Sequence, residues 1–316
     1  VKRARLLALA CAACAQPALG QTTAAPLRVG AAPDDQSKPI LYAKQAGLFE
    51  RAGLDVQVTT LNGGGAAIAA AVVGGSLDIG KSNCLQLITA HVRGVPFVVI
   101  APAATAGAMS LESGLIVAAN SPLRSAAELN GKTVGVTSLI TIETIGTRSW
   151  IDANGGDSSS VHFVEVPPSA TQAAIEQGRI VAGTILEPQL TAALAGGAVR
   201  LLAHPYGAIA RRFEGADWFT TADYVAKHRD IVERFKRVVH DANVYVAAHE
   251  SETIPLIAAY TGIDAAALAK MRHPERPAYL NAAELQPLVD AAAKYGFIPK
   301  PFPARELYSD VILRPR

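Results

Sequence analysis

The chain has 316 residues, half of them hydrophobic, with 29 Lys and Arg against 27 Asp and Glu. That is enough apolar material for roughly two domains. A formal charge of +2 without a basic run, and Trp150 and Trp218 as its two indoles, argue against nucleic acid as a partner and against a long stacking groove.

At the N-terminus, Lys2, Arg3 and Arg5 precede the apolar run from Leu6 to Ala15. Pro17 interrupts it, and Ala18-Leu19-Gly20 puts small residues before Gln21. This order predicts a secretory signal peptide over residues 1–20, cleaved near Gly20, and hence an exported protein. The run is about half as long as a bilayer-spanning helix. Cys11 and Cys14 lack the preceding Leu of a lipid-modified cysteine and are expected to leave with the signal. Cys84 then stands alone, without a disulfide partner. Losing three positive charges takes the formal charge from +2 to −1.

From Leu27 the pattern alternates. Leu27 to Ala31 reads as a strand, Pro39 to Ala52 as a helix, and Leu54 to Leu61 as a strand with apolar residues at every second position. Gly63-Gly64-Gly65 breaks the chain before an Ala-rich helix, Ala66 to Val73. Strand, helix and strand follow at 77–80, 85–92 and 97–101. The alternation restarts at Leu115 to Ala119, with a capping-box pattern at Ser125 to Glu128 and further strands at 134–136, 161–166, 180–186 and 199–203, separated by helices. Beyond Trp218 the pattern is chiefly helical. Such alternation predicts crossover units, giving a mostly parallel sheet with helices on both faces.

Several segments, in order, carry a resemblance. They are Pro39 to Phe49, Gly53-Leu54-Asp55-Val56, the glycine run with its Ala helix, and Gly75-Ser76-Leu77-Asp78-Ile79-Gly80. Gly94-Val95-Pro96, Leu129 to Val136, Leu186-Glu187-Pro188 and Tyr295-Gly296-Phe297-Ile298 follow. Together they resemble the periplasmic solute-binding proteins of the nitrate/sulfonate/taurine group, which includes relatives that bind the thiamine pyrimidine precursor. The resemblance spans nearly all of the mature chain. It implies a two-lobed α/β fold, the type II periplasmic binding protein fold, each lobe a mostly parallel sheet flanked by helices. Lobe 1 is expected over 21–110 and 218–316 and lobe 2 over 111–217, with the ligand cleft between them. One departure is Val181-Ala182, where such proteins usually carry Asp-Ala.

The function this implies is the periplasmic solute-binding component of an ABC importer, capturing a small anionic organic solute, a sulfonate or organic acid, by hinge closure. The protein is expected to be monomeric, with the solute and a membrane permease as partners and no cofactor. The alternatives are a pyrimidine-precursor binder, an enzyme-like relative of that branch, or a ligand-sensing protein. Ligands of open parallel sheets bind beyond the carboxyl ends of the strands. The polar turns there nominate Gln36, Ser37, Lys38, Ser82, Asn83, Thr137, Ser138, Thr141 and Glu187, with Lys38 the cation at the cleft mouth. Lys38 suits an anion and Glu187 a donor-bearing group, hinting at a ligand with both.

No catalytic or metal-ligand spacing stands out. The seven histidines are scattered, and His240 and His249 lie nine apart rather than four. Phosphate loop, dinucleotide fingerprint, Cys-x-x-Cys and the iron-binding cysteine motif of some pyrimidine-branch enzymes are all missing. Cys84 has no nearby base in sequence and reads as a small buried residue.

Overall fold

The computed structural model describes residues 26–61 and 64–309; the expected signal peptide lies outside them. The first sheet holds β1 (Leu27–Ala31), β2 (Val56–Thr60), β3 (Ile79–Asn83), β4 (Phe97–Gly107) and, much later in the chain, a strand at Arg212–Thr221. The second holds β5 (Ser113–Ala118), β6 (Thr133–Val136), β7 (His162–Glu165), β8 (Ala182–Leu186) and β9 (Val199–Ala203). The returning strand of the first sheet is β10, and the spatial orders are β2-β1-β3-β10-β4 and β7-β6-β8-β5-β9.

In each sheet four strands run one way and one runs against them. β10 is antiparallel to both β3 and β4, and β5 to both β8 and β9. These are the strands that follow the two passages between the sheets. A chain arriving from the other lobe enters at the cleft end and must run away from it, whereas crossover units bring each other strand toward it. The cleft is therefore lined by the C-terminal ends of eight strands and the N-terminal ends of β5 and β10.

β10 is a strand where none was expected, over the return to the first lobe; beyond it the chain is helical, as expected. Its residues Phe213 to Thr220 are all buried. A strand buried on both faces shows no alternation, so periodicity cannot mark it. Trp218 packs edge-on against Phe235, ring centroids 5.9 Å apart, and Phe219 similarly against Phe97 at 4.7 Å. The same strand buries Glu214 and Asp217. Asn281 N–H donates to Glu214 at 2.7 Å, the Cys84 thiol donates to Asp217 at 3.1 Å, and the Tyr308 hydroxyl also bonds Glu214. Burial pushes both carboxyls up, Asp217 to about 7.

The helices are α1 (Lys38–Gln45), α2 (Leu48–Arg51), α3 (Gly64–Val73), α4 (Cys84–Val92), α5 (Ile142–Ala153), α6 (Pro168–Glu176), α7 (Gln189–Ala195), α8 (Ala222–Lys227), α9 (Arg229–Ala248), α10 (Glu250–Thr261), α11 (Ala265–Leu268) and α12 (Ala282–Lys294). The helix expected over 39–52 is two pieces. Gly47 adopts φ 68° between them, a conformation that favours glycine, and it ends α1. Close approach explains Gly65 in the glycine run: a Cβ there would lie 2.1 Å from Gln86 Oε1 and 2.2 Å from Ser82 Oγ. One half of the expected capping box forms: Glu128 accepts from the Ser125 N–H at 2.8 Å, while the Ser125 hydroxyl donates to the same carboxylate instead of capping the turn. No described helix is long and apolar enough to cross a membrane.

Phe219 is fully buried where β10 meets α3 and β4. Phe219→Ala should cost about 3–5 kcal/mol of unfolding free energy. Urea denaturation followed by Trp fluorescence checks this.

Candidate functional site

Between the two sheets lies a cavity of about 260 Å³. Asp34, Asp35 and Gln36 reach it from the turn after β1, Asn83 from the end of β3, and Ala106 from the end of β4. The second lobe contributes Glu112 just ahead of β5, Glu143 in the first turn of α5, and Leu186 and Glu187 at the end of β8. Buried Tyr206 comes from the short 3₁₀ turn after β9. The loop from Met271 to Pro274 closes one side. Glu187 ties the lobes together by accepting from the backbone N–H of Arg272 at 3.2 Å, and Tyr295 does so by donating to Asp152 at 2.9 Å.

Of the residues expected to bind ligand, Gln36, Asn83 and Glu187 line the cavity. Two of these are partly occupied. Asn83 caps α4 by accepting from Gln86 N–H at 3.0 Å, and Glu187 accepts from the Thr191 N–H and hydroxyl at 3.0 and 2.7 Å. Ser37 and Ser82 are buried and turned inward. Ser37 donates to the Ala32 carbonyl at 2.8 Å and Ser82 to Gln86 Oε1 at 2.6 Å. Ser138 donates to Glu165 at 3.0 Å, and Thr141 caps α5 by accepting from Thr144 N–H at 3.3 Å. Thr137 is half-buried beyond β6 and does not line the cavity.

Lys38 is not at the cleft mouth. Its side chain is 0% exposed and is paired with Asp35 at 3.0 Å and with Glu250. Arg276 bonds the same two carboxylates at 2.7 and 2.8 Å, and His273 lies 3.0 Å from each. Asp35, Glu250 and His273 have the ligand-atom spacing of a metal site. Here the ammonium and guanidinium already supply their counter-charge, so the group is a closed ion-pair network that pins the turn after β1 to α10 and the 271–276 loop. Burial alone would raise the Asp35 carboxyl. The His273 hydrogen bond and the Arg276 and Lys38 charges outweigh it and hold the carboxyl well below the usual range. Lys81 is likewise paired with Asp34.

Sequence reading missed Glu112, Glu143 and Tyr206. Glu112 stands in the stretch where the chain changes lobes, which polarity alone does not mark as a site. Glu143 lies two residues past Thr141 and faces the cavity because that helix begins there. Burial pushes the Glu112 carboxyl up to about 8, helped by the Asp35 and Glu143 charges, while Arg276 pulls the other way. Burial also raises Glu143, against hydrogen bonds from Thr141 and Tyr206.

Val181, the departure from the Asp that the resemblance led us to expect, precedes β8, packs against the second lobe's core and does not line the cavity. Cys84 is buried, and burial together with the Asp217 and Glu214 charges pushes its thiol up. That removes the thiolate a nucleophile requires.

The family model described as NMT1/THI5 like matches residues 34–253. A putative aliphatic sulfonates-binding protein of Escherichia coli (strain K12) is 24% identical over 195 residues, 62% of this chain and 59% of its own length. The chain thus matches under two thirds of that relative. The crystal structure of the periplasmic aliphatic sulphonate binding protein SsuA from Escherichia coli superposes with a TM-score of 0.75. Its identity is 21%, and the match covers 90% of this chain and 97% of that one. The desulfurization enzyme DSZB shares the fold at a TM-score of 0.68 and 14% identity, over 90% of this chain and 96% of that one.

Breaking the buried network tests its role. Lys38→Met should destabilise the protein by about 3 kcal/mol or more, because it strips a counter-charge from Asp35 and Glu250. In the parent protein, the depressed Asp35 carboxyl contributes stability that is complete above its unfolded-state value of about 4. That stability is lost as pH falls through the lower folded value. Urea denaturation of both proteins across the acid range should show the parent losing stability toward low pH and converging on the variant.

Proposed function

The chain belongs to the NMT1/THI5-like family, and on that premise we propose that it is the solute-binding component of an ABC importer. The observation that carries this reading is a cavity whose walls come from the strand ends of both sheets. A ligand there touches both lobes at once and gains its second set of contacts only when they approach. Closure is then a population shift driven by that difference. We take residues 26–110 and 212–309 as one lobe and 111–211 as the other, with β10, which returns to the first sheet, counted whole in the first. The hinge is the two passages between β4 and β5 and between β9 and β10.

Sulfonates and organic acids are the solute classes to test first, since the relatives are named for sulfonates. Glu187 and the Met271–Pro274 loop form the clasp, already joined by the Arg272 hydrogen bond. The protein works in the periplasm as a monomer and passes its cargo to a membrane permease. It is read as non-catalytic despite the shared fold with a desulfurization enzyme, because its one described thiol is buried and held protonated, and the cleft offers no activated nucleophile among the described residues.

A solute that binds only the native state must stabilise it, by about 2.7 kcal/mol at a hundred times its dissociation constant. A thermal-shift panel of sulfonates, organic acids and nitrogen heterocycles should therefore yield at least one solute that raises Tm dose-dependently and is recovered unchanged. Consumption of that solute in proportion to protein concentration would move the chain to the enzyme class.

A further inference from the structure

The two lobes meet along two lines of different make-up. At the clasp the contact is polar, with the Arg272 N–H donating to Glu187. Along α5 and α12 the lobes share a core. Ile142 and Ile145 of α5 and Tyr206, all of the second lobe, belong to one buried apolar cluster with Leu285, Leu288 and Val289 of α12 in the first. Tyr206 also packs edge-on against Phe213 of β10, ring centroids 5.8 Å apart. Parting the lobes along this seam would return that apolar surface to water, so a rotation about the seam costs less than a separation across it.

A polar contact stands at the C-terminal end of the same seam. Asp152, in the last turn of α5, meets two groups of the other lobe. The Tyr295 hydroxyl donates to it at 2.9 Å, and Lys294 Nζ lies 3.4 Å away. The second Asp152 oxygen accepts from the Ser158 N–H at 2.9 Å, which holds the carboxylate in its own lobe. The Lys294 ammonium also sits over the Tyr295 ring, 4.8 Å from its centroid. Burial would raise the Asp152 carboxyl, and the hydrogen bonds from Ser158, Tyr295 and Lys294 outweigh it and hold it below its usual range. None of these residues lines the cavity; Asp152, Lys294 and Tyr295 border a separate groove between α5 and α12.

We infer that the contact of Asp152 with Tyr295 and Lys294 is a latch that fixes the angle between the lobes, which makes Tyr295 a positioning residue for capture although it lies outside the cleft. This deepens the solute-binding reading and rests on its division into two lobes. Apolar packing has no direction and tolerates a small rotation of the seam. A hydrogen bond weakens steeply with angle and distance, so the latch selects one rotation among those the packing allows. Clasp and latch close the same pair of bodies. Each holds the groups of the other within reach, and their coupling is reciprocal.

Amide hydrogen exchange on the full protein without solute tests this. Tyr295→Phe removes the hydroxyl and keeps the ring. The Arg272 N–H, which reports parting at the clasp, should then exchange roughly tenfold faster, the loss expected for a hydrogen bond to a charged group, with Tm little changed. Adding Lys294→Met should speed it further. Spin labels on cysteines introduced at exposed Ile140 and Val244, one on each lobe, should show a broader distance distribution in that double variant, with buried Cys84 left unlabelled. Thr184→Val, which removes a hydrogen bond to Thr147 inside the second lobe, should change neither readout. The inference is overturned if the double variant keeps the parent's Arg272 rate and distance distribution, or if Thr184→Val moves them as far. The readouts need no solute, so the two readings fail separately. A solute panel without a hit removes solute capture and leaves the latch, whereas unchanged exchange beside a solute that binds removes the latch and leaves solute capture.

Discussion

One topological constraint governs this structure: a chain that leaves a lobe and comes back must place one strand against the grain of each sheet. β5 and β10 are those strands. Because they start where their neighbours end, the residues at both passages meet the loops that follow β1, β3, β6 and β8. The cavity, the hinge and the position of Glu112 all follow from that reversal. The price is a long strand buried on both faces, and β10 accommodates it with Trp218 and Phe219 on its apolar contacts and paired, hydrogen-bonded carboxyls at Glu214 and Asp217.

Buried charge is distributed unevenly around the cleft. On the first-lobe side, Asp35, Glu250, Lys38, Arg276 and His273 neutralise one another and fix the turn that carries Gln36. Such a network has little net field to offer a ligand, and its value is positional. On the second-lobe side burial raises the Glu112 and Glu143 carboxyls. Two walls of similar composition therefore have different electrostatic characters, one of paired ions and one of carboxyls that burial biases toward the neutral form. A net charge near zero for the whole chain gives no hint of this.

The small-residue motifs that carry the family resemblance act on packing. Gly47 ends a helix, and Gly65 lets α3 approach β3. Asp78 accepts from Arg28 through its backbone N–H at 2.7 Å and its guanidinium at 2.6 and 3.0 Å, binding the two strands' ends at the edge far from the cavity. Motifs built this way identify the scaffold well and the ligand poorly, because among the segments of the resemblance Leu186-Glu187-Pro188 alone lines the cavity.

The sequence by itself determined the alternating α/β architecture, the restart of the pattern near Leu115, the family, and three turn residues that line the cavity, Gln36, Asn83 and Glu187. These are legible because local periodicity and turn chemistry act within a few residues of one another. β10 was not legible, since two-sided burial erases alternation. Nor was the fate of Lys38: a lysine in a polar turn reads as a ligand for anions, and only the approach of Glu250 and Arg276, more than two hundred residues away, makes it structural. Glu112 and Glu143 are ordinary carboxylates in sequence and reach the cavity wall only through the fold of the second lobe. Packing between distant segments decided which charges are spent and which remain, because desolvation and ion pairing depend on neighbours in space.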